Sequence, residues 1–238
     1  MPLTSAGSPG RSRSRTAAGL PAVTAERLTG AAIRLTAEHG LDNWTVRQLA
    51  AAVDAYPAVV YHHVGDREAV VKAVVEQVVA KLPLHDADLP WREWFFRTLT
   101  DMRGVFRCYP GSARRVQSFG LSIAASVKFI DRGVLILQNA GFAEESPLVY
   151  NVLTCTACQF IAMEDDHDAD QAARVDAAAR FRHYEGRSDL PGASAMAGEA
   201  SANSVDADQV RRYYGEMYDY AVNRCLDGLV TRLAEIKN

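Results

Sequence analysis

Hydroxyl, imidazole and guanidinium groups recur at short intervals in the stretch Thr45–Arg67, TVRQLAAAVDAYPAVVYHHVGDR. Tyr56, Pro57, Ala58, Tyr61, His62 and His63 form one dense run, with Thr45 and Arg47 ahead of it and Arg67 behind. Such side chains suit hydrogen bonds and apolar contacts to nucleic acid. Arg is the commonest specific partner of guanine, and Ala or Pro can meet a thymine methyl. Long hydrogen-bonding side chains are few, so any sequence preference would rest partly on DNA shape. A core position for Tyr61 and a phosphate-only role for His63 are the plainer alternatives.

Such groups need rigid elements to aim them, and the same stretch supplies these. Val46, Leu49, Ala50 and Val53 fall at i, i+3, i+4 and i+7, the spacing of a helix with one apolar face. Thr45 followed three residues later by Gln48 opens that helix as a capping box. Asp54 to Tyr56 break the pattern, and Pro57 can occupy the first turn of a second helix, where its missing N–H costs nothing. Val59, Val60 and Tyr61 continue it, and Gly65-Asp66 ends it. Two short helices joined by a tight turn make a helix-turn-helix, whose second helix can enter the major groove of DNA.

The flanking elements follow. Thr24 caps a first helix that Gly40 stops near His39, with Leu28, Ala32 and Leu35 facing the helix-turn-helix. Asp66 caps a Val-rich helix whose apolar positions, Val70 to Leu82, recur at helical spacing until Pro83. Valine is a poor helix former, so tertiary packing must hold this segment. The body reads as all helix: Trp91–Arg107, a short helix to about Phe119, Ser122–Asn139, a helix opened by Ser146-Pro147, and a last helix capped by Asp206. No strand pattern or internal repeat is visible. The predicted class is all-α, a helix-turn-helix three-helix DNA-binding domain followed by a helical bundle for ligand binding and dimerisation. Its divisions are a disordered basic arm (1–22), the helix-turn-helix domain (23–68), and the regulatory and dimerisation domain (69–238). Residues 66–82 form the link, and an acidic Ala/Ser/Gly-rich insert at about 164–205 carries a helix near Ala172–Phe181 and a mobile loop at Glu185–Ser204.

Charge is unevenly spread. The whole chain has a net charge of −3, but residues 1–82 hold 9 Lys/Arg against 7 Asp/Glu, whereas 83–238 hold 17 against 22. A slightly basic head on an acidic body suits DNA contact confined to one end. Arg11, Arg13 and Arg15, alternating with Ser, form an arm able to follow phosphates or simply to be solvated. No run of about 18 apolar residues suggests a membrane span, and the N-terminus lacks the apolar core of a secretory signal. A cytoplasmic location is expected. Cys108, Cys155, Cys158 and Cys225 then read as free, mostly buried thiols, and the Cys155-x-x-Cys158 pair as core packing.

Other chemistries find little support. Glu164-Asp165-Asp166-His167-Asp168 has metal-ligand residue types but reads as a solvated acidic turn. No Ser-His-Asp elbow, phosphate-cradling Gly loop or His-Glu-x-x-His helix is present, and His39, His85 and His183 stand isolated. Neither enzymatic activity nor a metal or cofactor is expected.

Tyr61-His62-His63-Val64 followed by Gly65-Asp66-Arg67 resembles the Tyr-x-His-Phe/Val-x-x-Lys signature of the TetR family of bacterial transcriptional repressors, and Thr45, Arg47, Leu49 and Ala50 fit its Thr-x-Arg-x-Leu-Ala. The resemblance is good over about Val23–Leu82. Asp54-Ala55 replaces the family's Gly-Val turn, which Asp permits because it tolerates a left-handed backbone. Arg67 replaces Lys with the charge kept, and Tyr56 is particular to this chain. The resemblance implies phosphate contacts for Tyr61, His63 and Arg67. Base reading then falls to Arg47, Tyr56, Pro57, Ala58 and His62, with Thr45 completing the DNA-binding set. It also implies a small-molecule effector. Tetracycline-binding relatives use a His of the body's second helix to hold a drug-bound magnesium ion, and Ala113–Ser118 has none here. Trp94, Thr98, Met102, Phe106, Gln117 and Gln159 are the candidate lining of an apolar cavity, although core packing explains the aromatics equally well.

The partners expected are therefore a double-stranded DNA operator, a small apolar effector and a second copy of the chain. Apolar stripes on Ser146–Met163 and Asp206–Ile236 would pair between subunits as a four-helix interface. The alternative is a helical ligand-binding or protein-interaction protein that keeps a helix-turn-helix without regulating DNA.

Overall fold

The structure, a computed structural model, describes residues 22–203 and 206–237; the proposed arm at 1–22 lies almost wholly outside them. The described residues form helices and turns without strands.

The head is α1 (Ala25–His39), α2 (Val46–Ala52) and α3 (Pro57–His63). Thr24 Oγ1 accepts from Arg27 N–H at the start of α1, and Gly40 (φ 84°) takes the positive φ at its end. Thr45 and Gln48 form the full capping box of α2. Asp54 stands at φ 53° in the turn, and Pro57 is the first residue of α3. Leu28, Ala32, Leu49, Val53 and Val60 close the head's core with Trp44, whose indole N–H donates to Thr36 Oγ1 at 3.0 Å.

Asp66 caps α4 (Arg67–Val79), whose Val70, Val71, Val74, Val75, Val78 and Val79 are all buried. Adjacent pairs of valines give this helix two apolar faces. It packs on α1 in the head and on α6 in the body, which is the tertiary support its composition requires. The body comprises α5 (Trp91–Phe106), α6 (Ser112–Phe119), α7 (Val127–Leu137), α8 (Ser146–Ala169), α9 (Gln171–Phe181), α10 (Pro191–Ala202) and α11 (Ala207–Ile236). α8 is its centre, touching α5, α6, α7 and α11.

Three segments depart from expectation. The helix expected over Ser122–Asn139 starts only at Val127, after 3-10 turns at 120–122 and 124–126. The fully buried Ile123 has an extended backbone between them, and the Glu76 carboxylate of α4 accepts from Ala124 N–H (2.7 Å) and Ala125 N–H (2.8 Å). A distant side chain thus fixes a break that no local pattern encodes. The loop expected at Glu185–Ser204 holds α10, with Pro191 in its first turn and Ala197 buried against its surroundings. The continuous run 124–169 has the length and composition of a membrane span. Gly141 (φ 112°) breaks it before α8, however, and α8 buries Val149, Leu153, Ala157 and Ile161 in the core.

Candidate nucleic-acid interface and ligand cavity

The capping box of α2 and the proline start of α3 hold the head's polar groups on one exposed surface. Tyr56 is 81% exposed and Tyr61 55%, which sets aside a core position for Tyr61. Arg47, Ala58, His62 and His63 are exposed and Pro57 half-buried. Arg47, Tyr56 and Tyr61 make no side-chain hydrogen bond or ion pair among the described residues, while the His62 and His63 rings meet edge to face at 5.1 Å. Thr45 spends its hydroxyl on the cap, accepting from Gln48 N–H and donating to Gln48 Oε1 at 2.9 Å.

Arg67 sits differently. It donates to the Leu41 carbonyl at 3.0 Å, lies over the Trp44 ring at 5.2 Å and is 3.9 Å from Asp42. Its guanidinium ties α4 to the loop after α1, an inward role that a phosphate-binding motif does not announce.

In the body, α4, α5, α6, α7 and α8 enclose a cavity of about 220 Å³. Trp94, Thr98, Met102, Phe106 and Gln117 line it. Gln159 does not: it lies exposed on the outer side of α8, in register with Leu148, Val152 and Cys155 at i, i+4, i+7 and i+11. Val79, the last residue of α4, and Leu82 just beyond it also form the cavity wall, as do Phe95, Phe129 and Tyr150. Tyr150 packs against Gly133, where a Cβ would come within 2.8 Å of its ring. Burial raises the Tyr150 hydroxyl and pushes the Cys158 thiol up to about 12. Sequence spacing could not single out Val79, Leu82 or Tyr150, since a cavity wall and a core position have the same apolar periodicity.

The cysteines are less buried than expected: Cys108 and Cys155 are exposed, Cys225 is partly buried and Cys158 alone is buried. His85 is not isolated. Its Nε2 is 2.7 Å from Asp101 Oδ2, and its carbonyl accepts from Arg132 at 3.0 Å. His183 packs on Tyr184, and His39 is 3.7 Å from Glu38.

The acidic run also needs correction. It forms the last turns of α8, with Glu164 and Asp165 buried. Glu164 takes a two-point hydrogen bond from Arg103 (2.9 and 3.0 Å), Arg107 binds Asp165 and Asp168, and Gly111 N–H donates to Asp165 at 2.8 Å. Burial raises the Asp165 carboxyl, against the opposing pull of Gly111 and Arg107. Among the described residues no group of His, Cys, Asp and Glu has the arrangement to hold a metal ion. Nearby, Arg115 of α6 reaches Asp42 and Glu68, each at 3.2 Å, and Leu41 N–H donates to the Pro110 carbonyl at 2.8 Å, joining head to body.

A helix-turn-helix on an all-helical body with an internal cavity defines a class of DNA-binding regulators. Residues 28–74 match the family model described as bacterial regulatory proteins, tetR family, which makes the head a DNA-binding domain of that type. A search of the curated proteins found no match. Among solved structures, the fold is similar to a possible TetR family transcriptional regulator from Streptomyces coelicolor A3(2) (TM-score 0.69, 20% identity, covering 87% of this chain and 98% of that one). It is also similar to apo ActR from Streptomyces coelicolor (0.66, 19%, 87% and 98%) and to BioQ from Mycobacterium smegmatis (0.63, 17%, 88% and 99%).

Proposed function

We propose that this protein is a cytoplasmic, dimeric repressor that binds an operator through α2 and α3 and leaves it when a small apolar ligand fills the body cavity. The observation that carries the reading is the shared wall: Val79 at the far end of α4 and Leu82 just beyond it line the cavity, and α4 begins beside α3. Arg115, one residue from the lining Val116, grips the head through Asp42 and Glu68. A ligand acting on α6 or α4 therefore acts on the reader helix. Only a ligand with higher affinity for the DNA-free arrangement can shift the balance.

The domain limits, 23–68 for the head and 69–238 for the regulatory part, follow from the same reading. Thr45, Arg47, Tyr56, Pro57, Ala58, Tyr61, His62 and His63 form the DNA face, with Arg67 supporting it from behind. For the dimer, the exposed Leu148, Val152 and Cys155 of α8 and Tyr220 and Val230 of α11 supply unpartnered apolar surface. Of the similar proteins, BioQ has been solved with its natural double-stranded DNA operator and ActR with actinorhodin. The test is titration of the purified protein against the DNA upstream of its own gene at two salt concentrations. Tight, sequence-specific binding that weakens steeply with salt is expected; equal affinity for unrelated DNA would overturn the reading.

A further inference from the structure

The residues lining the cavity carry no formal charge, and one hydroxyl enclosed in its wall is unmet. Trp94, Phe95, Phe106 and Phe129 give it aromatic walls. Thr98 is 6% exposed, and its hydroxyl has no hydrogen-bond partner among the described residues. Its neighbour Thr100 and the lining Thr154 each donate to the carbonyl four residues back, so Thr98 is the exception among helical threonines nearby. A buried hydroxyl left unpaired is destabilising unless something else completes it. A charged ligand would leave water here with nothing to neutralise it. Size sets the other limit. An apolar cavity of about 150 Å³ admits benzene, so 220 Å³ holds roughly nine non-hydrogen atoms by proportion.

We propose that the cavity is a site for an uncharged, single-ring aromatic compound bearing one hydrogen-bond acceptor, which receives the Thr98 hydroxyl proton while the ring packs among Trp94, Phe95, Phe106 and Phe129. This names the ligand class of the effector site and rests on that reading for its link to DNA.

Three probes of one shape test it on the full-length protein by calorimetry: acetophenone, α-methylstyrene, in which a methylene replaces the carbonyl oxygen, and benzoate. Acetophenone is expected to bind about five-fold more tightly than α-methylstyrene, the worth of one neutral hydrogen bond, and benzoate not to bind. Thr98→Val should remove the five-fold advantage and leave α-methylstyrene unchanged, and Thr98→Ser should restore it. Met102→Trp, which fills the cavity, should abolish binding of both neutral probes. Failure of acetophenone to bind the wild type, benzoate binding equally well, or equal losses for both neutral probes in Thr98→Val would overturn the proposal. Binding of acetophenone with this pattern but without release of operator DNA supports the ligand class and overturns the effector reading. Release of DNA by a charged or many-ringed compound that acetophenone fails to displace from the cavity overturns the ligand class and leaves the effector reading standing.

Discussion

Tyr56 at the start of α3 and Arg67 at the start of α4 have opposite settings, one held out to solvent and the other folded against Trp44 and Leu41. Tyr56→Ala should therefore change preference at particular operator positions, by about 1–3 kcal/mol where the contact is a good one. Selection from a random library checks this, and recovery of the wild-type operator by the mutant would remove Tyr56 from the base-reading set. Arg67→Ala should act through stability. Losing the hydrogen bond to the Leu41 carbonyl from a partly exposed guanidinium should cost about 1 kcal/mol, seen as a lower melting temperature without DNA. Arg67→Lys should recover little of it, because an ammonium cannot reproduce the planar fork and ring stacking of a guanidinium. Full recovery of stability with Lys would return Arg67 to a role of charge alone.

Among the elements, α8 shows most clearly what one chain of letters can and cannot disclose. Its apolar stripe through Leu148, Val152 and Cys155 is visible at helical spacing, yet that stripe faces outward, while the neighbouring Val149, Leu153 and Ile161 face the core. Both stripes have the same period, and only the partner helices decide which is buried. The acidic end of α8 was misleading for the same reason. Glu164 and Asp165 lie below the surface because Arg103 of α5 and Arg107 at its end, about sixty residues earlier, meet them there. Glu164→Ala should thus destabilise the body by about 2–3 kcal/mol by stranding Arg103, a loss readable in urea unfolding. An unchanged midpoint would show the pair to be solvated after all. Elements with local signals were legible: the Thr24, Thr45, Asp66 and Asp206 caps, the Gly40 stop and the Pro57 start all stand where their residue types put them. The break at Ile123, the helix within 191–202 and the lining role of Val79, Leu82 and Tyr150 depend on contacts far along the chain, and for that reason local spacing did not reveal them.

At the scale of the whole molecule, the outward stripe of α8 gives the proposed dimer a specific location. Leu229 is partly packed in the core, so a charge there would confound folding with assembly; Val152, 45% exposed, separates the two. Val152→Glu should yield folded monomers in light scattering that no longer bind operator. In the wild type, maleimide should modify the exposed Cys108, while Cys155 should be shielded by the partner helix of the proposed dimer and burial keeps Cys158 a thiol. Rapid labelling of Cys155 in a dimer would move the interface elsewhere. In the proposed dimer, two such heads read successive major grooves as one body. Reader helices related by a two-fold axis must sit about 34–36 Å apart, roughly one helical turn of DNA. Hydroxyl-radical footprinting on the upstream DNA measures this most directly. Two protected patches of equal strength are expected, related by a dyad, with centres about 10–10.5 base pairs apart or a whole number of turns more, both lost together in Val152→Glu. A single patch, or one that persists in that monomer, would contradict it.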